Sequence, residues 1–160
     1  MITLVRCDDR LIHGQCMTVI VKAYDIQEII VVDDFTATNS VLRTVFKTAV
    51  PPSMKADVFT VADSLPKIKE AMTNDVKTLV LMKSPVVYVE LLKAMDDMPK
   101  ELNVGPMTKR KGSISVHPAI NLMPNEGDAV KEAVGMGAHV YFRQVPDQAL
   151  IEWEDVKDKF

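Results

Sequence analysis

Seven residues with the means to handle a phosphoryl group crowd into a short stretch near the start of the chain: Arg6, Asp8, Asp9, Arg10, His13, Gly14 and Gln15. A neutral imidazole near physiological pH can attack phosphorus and hold the phosphoryl group as a reactive phosphoramidate, which makes His13 the candidate nucleophile. Gly14 lets the backbone approach a ligand closely. Gln15 and the turn after it offer unpaired helix N–H groups that favour an anion. Arg10, with Arg6 at the end of the preceding apolar run, can neutralise phosphate oxygens through paired donors, although either could simply pair with Asp8 or Asp9. One of those carboxylates could hold the imidazole in a single tautomer, and either could instead cap the turn. A lone loop histidine is more often a hydrogen-bonding turn residue. The company of His13 is what turns the reading toward chemistry.

Other groups compete for attention. Asp33-Asp34 could be a metal-binding carboxylate pair, but neighbouring side chains on an extended backbone point apart and aspartate is common where strands end. Ser84 before Pro85 reads first as a helix N-cap; it becomes a phosphate ligand only if that helix end faces His13. His117 and His139 fall in or beside strand-like runs, and no zinc-like spacing links the histidines. Cys7 and Cys16 fit neither a disulfide framework nor a CxxC spacing and read as reduced, semi-buried thiols.

These groups need a frame to bring them together. Short β-rich runs alternate with longer segments of helical spacing, the pattern of a parallel sheet with crossover helices. Strands are expected over 2–6, 28–32, 56–61, 78–82, 102–104, 114–116 and 139–145, and helices over 15–24, 40–50, 62–72, 85–95, 125–136 and 147–157. The implied fold is a single α/β domain spanning 1–160, an open, mostly parallel twisted sheet with helices on both faces. In such folds ligands bind beyond the carboxyl ends of the strands, where the His13 loop, Asp33-Asp34, Lys83-Ser84-Pro85 and Gly105 would line one rim. The stretch Pro106 to Gly112 reads as a hairpin or excursion toward an edge.

Composition narrows the partners. With 160 residues and a formal charge of −3 mixed along its length, the chain offers no basic stripe for nucleic acid. Its apolar runs are far shorter than the roughly 20 residues of a membrane helix, and its start lacks the regions of a signal peptide, so a cytoplasmic protein is expected.

The run Arg6-Cys7-Asp8-Asp9-Arg10-Leu11-Ile12-His13-Gly14-Gln15 resembles the R-x-D-D-R-L-I-H-G-Q signature of IIB components in the mannose/fructose/sorbose family of the bacterial sugar phosphotransferase system. Ile30 to Asp34, Ala49 to Pro52, Leu102 to Gly105 and Arg143 to Pro146 look like that family's segments in the same order. Cys7, Cys16 and Ile20 replace the Ile, Val and Trp expected there, and Pro106 stands where a second glycine usually follows Gly105. The resemblance implies a phosphocarrier, a protein-N(pi)-phosphohistidine–sugar phosphotransferase. It would take phosphoryl onto His13 from a IIA partner and pass it to sugar held by membrane IIC and IID subunits, at which the chain would sit peripherally. Arg10 and Asp9 would act beside His13, and Gly14, Gln15, Ser84 and Arg6 around the phosphate, with neither metal nor cofactor. Leu11 or Ile12 would centre the partner contact, with Lys109, Arg110 and Lys111 as a charged rim. The competing reading is a metal-dependent aspartyl-phosphate receiver built on Asp33-Asp34 and Lys83. The sugar and any homo-oligomer stay open.

Overall fold

The computed structural model describes residues 1–14 and 16–160. Among the described residues nine strands form in chain order: β1 Ile2–Cys7, β2 Glu28–Val32, β3 Lys55–Phe59, β4 Thr78–Met82, β5 Glu101–Val104, β6 Ile114–His117, β7 Ile120–Leu122, β8 His139–Phe142 and β9 Ile151–Glu152. Seven of them build one sheet in the order β3-β2-β4-β1-β5-β8-β9, parallel throughout except for the antiparallel edge strand β9. The remaining pair, β6 and β7, is a separate antiparallel hairpin.

Alternation along the strands divides the apolar residues between two cores, as a sheet covered on both faces requires. Ile30, Val32, Val80 and Met82 join Val5 and Cys7 in one core. Their sequence neighbours Ile29, Val31, Leu79 and Leu81 join Leu4 in the other. The first core is closed by α4 (Val61–Thr73), α5 (Pro85–Ala94) and α6 (Pro124–Gly135), which contribute Ile68, Tyr88 and Val130 among others. The second is closed by the segment after β1, a π-helical turn Cys16–Ile20 running into α1 (Val21–Tyr24), with Phe46 of α3 (Ser40–Thr48) packed against it. Two four-residue helices, α2 (Asp34–Ala37) and α7 (Trp153–Val156), complete the elements used below.

The expected α/β architecture is present, with differences at the ends of elements. Strand β8 stops at Phe142 rather than continuing to Val145, because the carbonyls of Arg143 and Gln144 turn to accept from Arg6. The helix expected over 147–157 is replaced by β9 and α7: Ile151 and Glu152 pair with Phe142 and Tyr141, so helix begins only at Trp153. The excursion after Gly105 leads into the β6–β7 hairpin, and Met107 bridges to Ile120.

Candidate functional site

Strand β1 lies between β4 and β5, where the strand order reverses, so the loop leaving its carboxyl end occupies the switch point of the sheet. Backbone hydrogen bonds hold it there: Asp8 N donates to Met82 O at 2.9 Å, Asp9 N to Pro106 O at 3.2 Å, and Gly105 N to Cys7 O at 2.8 Å. Leu11 adopts a left-handed backbone with φ of 55°, rare for a residue with a branched side chain. Its side chain is fully buried in the second core, which supplies the packing that holds the strained turn.

Asp8 organises the loop. One oxygen, Oδ1, accepts from Arg10 N at 3.1 Å. The other, Oδ2, lies 3.8 Å from His13 Nε2 and 3.9 Å from Arg6 Nη2, too far for a direct hydrogen bond to either. Oδ2 and Nε2 are both buried and unpartnered among the described residues. Burial raises Asp8 above the usual carboxylate range, against the opposing pull of His13, the Arg10 N–H and Arg6. The alternatives left open in the sequence therefore separate: Asp8 faces the imidazole, while Asp9 turns away and accepts from Thr108 N at 2.6 Å, tying the loop to the segment after β5.

Arg6, expected around the phosphate, turns inward. Its side chain is 1% exposed and donates to Asn103 Oδ1, to Arg143 O at 3.3 Å and to Gln144 O at 2.8 Å, which makes it the internal tie between β1, β5 and β8. Burial pulls its pKa down, and Asp8 opposes that. Gly105 exists to let it pass, since a Cβ there would lie 2.5 Å from the guanidinium carbon. Arg10, by contrast, is 53% exposed, with its Nε 3.9 Å from Asp8 Oδ1. Space in front of Gly14 is open: an added Cβ would meet nothing within 4 Å. Gln15 lies outside the described residues.

Ser84 is the N-cap of α5, its Oγ accepting from Val86 N at 3.2 Å, with Pro85 at the first helical position. Asp33 caps α2 and sits 3.3 Å from Lys83 Nζ, whereas Asp34 accepts from Val61 N. The two carboxylates thus diverge, which removes the paired ligands an aspartyl-phosphate receiver would need. Leu11 and Ile12, expected at a partner contact, are 0% and 6% exposed. Arg110 of the expected basic rim is committed to Glu126, leaving Lys109 and Lys111 exposed.

The sequence alone assigned no role to Asn103, Thr108, Tyr24 or Arg143. Arg143 stacks 5.6 Å above the Tyr141 ring and donates to Tyr24 Oη at 3.3 Å. The run from Arg143 to Pro146 was visible as a segment, but only the sheet places it beside β5.

The geometry corrects the expectation that His13 stands as a free phosphoryl-accepting nucleophile. Its Nδ1 is engaged with Leu11 O at 2.9 Å, and Nε2 is covered and turned toward Asp8, so the ring as placed is a hydrogen-bonding part of the loop. The same segment holds a second group with nucleophilic chemistry, Cys16. It is 1% exposed, and burial pushes its thiol up to about 11, against the pull of Arg6. Only a thiolate attacks efficiently, so a thiol acceptor here requires the segment to open.

Comparison with known proteins places this arrangement. The family model described as PTS system sorbose subfamily IIB component matches residues 2–159. The sorbose-specific EIIB component of Lacticaseibacillus casei is 31% identical over 144 residues, covering 90% of this chain and 87% of the relative. The mannose-specific EIIAB component of Escherichia coli strain K12 is 28% identical over 158 residues, covering 99% of this chain and 49% of that longer protein. Among solved structures, the IIBSor domain of the sorbose permease from Klebsiella pneumoniae superposes with a TM-score of 0.86 at 30% identity, over 99% of this chain and 95% of that one. The family match is to the IIB class as a whole and carries no phosphohistidine assignment, so the narrower enzyme designation built on His13 is corrected with it.

Proposed function

This chain belongs to the sorbose subfamily of phosphotransferase-system IIB components, and we propose that it relays a phosphoryl group from a IIA donor toward a sugar through the loop after β1. The carrying observation is that this loop, with its signature residues, occupies the switch point of the sheet in a chain matched to the family along nearly its whole length. Exposed Arg10 supplies a planar pair of donors to phosphate oxygens, and the open space before Gly14 admits an anion close to the backbone. Positioning and charge stabilisation carry in-line transfer at phosphorus, and this loop provides both. Asp9 fixes the loop against Thr108, and Asp8 fixes its interior.

The IIA donor and the membrane IIC and IID subunits are the partners this role implies, and peripheral attachment to the permease follows from them. Among the described residues no helix is long and apolar enough to cross a membrane. Sorbose, mannose and fructose appear in the names of relatives, and the sugar handled here is set by the membrane partners.

The test is incubation with phosphoenolpyruvate, the general phosphotransferase proteins and a IIA donor, followed by tryptic mapping. Label is expected on the peptide from Leu11 to Lys22, released by cleavage after Arg10 and Lys22. Label on another peptide, or none, would overturn the proposal. The lability of the bond then identifies the accepting atom, because iodine cleaves a thiophosphate and mild acid a phosphoramidate. A second prediction follows from exposure: Arg10→Ala should slow transfer by about 10²-fold while leaving the unfolding midpoint unchanged, since loss of charge stabilisation commonly costs about 3 kcal/mol.

A further inference from the structure

The three cations that stand together after β5 part company in the fold. Lys109 and Lys111 face solvent, whereas the Arg110 side chain turns back over its own segment. Its Nε donates to Thr108 O at 3.2 Å, and its Nη2 donates to Asn121 O at 3.2 Å and to Glu126 Oε1. The Arg110 backbone is fixed as well: its N–H donates to Ser113 Oγ at 3.0 Å, and that hydroxyl donates to Arg110 O at 2.6 Å. Glu126 lies in the first turn of α6, is 4% exposed, and also accepts from Met123 N at 3.0 Å. One guanidinium thus joins the exit of β5, strand β7 and the start of α6. A buried carboxylate with a charged partner is often no more stable than well-packed apolar side chains of the same volume, so the pair calls for a geometric reason.

What the pair fixes lies against the loop after β1. Along residues 106–108 the backbone groups alternate between two sides. Toward the hairpin, Met107 N donates to Ala119 O at 2.9 Å, and Met107 O accepts from Asn121 N and Asn121 Nδ2, each at 3.1 Å. Toward the loop, Pro106 O accepts from Asp9 N at 3.2 Å and Thr108 N donates to Asp9 Oδ2 at 2.6 Å. A proline at 106 locks its own φ, which narrows the freedom of the segment that presents these two groups. The carbonyl of the same Thr108 is the one Arg110 holds. Direct contacts therefore run from Glu126 through Arg110 and Thr108 to Asp9, whose peptide bond leads into Arg10.

Resting on the relay function argued above, we propose that Arg110, latched to Glu126, is a positioning residue for phosphoryl transfer: it sets Thr108, and through the Thr108 N–H it sets Asp9 and the loop that carries Arg10. In-line transfer is sensitive to such support, since a displacement of about 1 Å at the reacting groups can cost about 10²-fold. Arginine suits the task because its planar fork reaches two carbonyls and a carboxylate at once, which a lysine ammonium on a single stem does not.

The test compares transfer from phosphorylated IIA to the wild type, Arg110→Ala, Arg110→Lys, Asp9→Ala and the double variant Asp9→Ala, Arg110→Ala, each shown to be folded by urea unfolding. Arg110→Ala should lower kcat at saturating IIA by about tenfold or more, with KM for IIA within about twofold. Onward transfer to sugar through the membrane subunits should slow by a similar factor, because one loop serves both steps. Arg110→Lys keeps the charge beside Glu126 but loses the fork, so it should stay slow; this milder variant carries the test if the alanine variant does not fold. Once Asp9 is alanine, the Arg110 substitution should cost less than about twofold more, the non-additivity of residues that act through one another. A wild-type kcat in either Arg110 variant would overturn the proposal. So would a loss confined to KM for one partner, which would make Arg110 a docking residue, or losses that multiply in the double variant. Failure of the relay reading itself looks different, because then the wild type takes no label from IIA at all.

Discussion

At the scale of residues, the site is governed by a cation that faces inward. Arg6 is buried with its donors spread over Asn103 and two backbone carbonyls, and no other side chain reproduces that planar fork. Arg6→Lys keeps the charge and loses the geometry, leaving buried acceptors unserved, so a stability loss of about 2 kcal/mol or more is expected in urea unfolding. Gly105→Ala should cost about 1–3 kcal/mol by the same measurement, because its Cβ would overlap the Arg6 guanidinium and force overpacking. If Gly105→Ala is neutral, the close approach has another way to relax. Cys16 offers a chemical readout of the same interior. With the thiol buried and pushed up to about 11, iodoacetamide at neutral pH should leave it unmodified in the folded protein. Rapid alkylation would show that the segment opens readily, which any thiol acceptor there requires.

At the scale of elements, two junctions carry distinct expectations. The start of α5 depends on Ser84, and Ser84→Ala should cost about 1 kcal/mol as loss of an N-cap. If Ser84 only caps, phosphoryl transfer at saturating donor stays at the wild-type rate; a fall of tenfold or more would make its hydroxyl a phosphate ligand. The edge of the sheet holds a titrating clamp. His139 on β8 lies 2.8 Å from Glu152 on β9 and 3.5 Å from Glu101 on β5. The hydrogen bond to Glu152, followed by that to Glu101, raises its pKa against the effect of burial. A histidine raised in the folded state gives its stability below its unfolded value, about 6.5, and loses it as pH rises through the folded value. The urea midpoint should therefore fall between about pH 6 and pH 8.5 by a component absent in His139→Gln, narrowing the gap between the two proteins. An equal gap at both pH values would show that the imidazole does not titrate against these carboxylates.

At the scale of the molecule, the two apolar cores share one sheet, so neither face can lose its helices without exposing the other side of the same strands. One cooperative transition is expected, with calorimetric and van't Hoff enthalpies equal. For 160 residues at about 0.7 kcal/mol each the enthalpy should be about 110 kcal/mol near 60 °C. Two resolved transitions would mean that the β8–β9 end melts apart from the rest. The loop after β1 leaves the middle of this sheet, tied to the ends of both β4 and β5.

Much of this architecture is legible in the amino-acid order, because period and punctuation are local properties. Paired apolar positions such as Ile29–Val32 report a strand buried on both faces, Ser84-Pro85 reports a helix start, and the Arg6 to Gln15 run reports the family. What those residues do to one another is not local. Asp8 and Asp9 are indistinguishable by position, yet in the fold one faces His13 and the other Thr108. Arg6 reads as a phosphate ligand until the parallel pairing of β1 with β5 and of β5 with β8 surrounds it with acceptors nearly a hundred or more positions away. Leu11 and Ile12 read as a contact surface until the second core covers them, while Phe35, Val41 and Val45 are left outside. Sequence pattern records which side chains prefer to leave water. Which of them succeed, and which polar atoms are then stranded facing one another, is decided by strand order, because only that brings distant residues within a few ångströms.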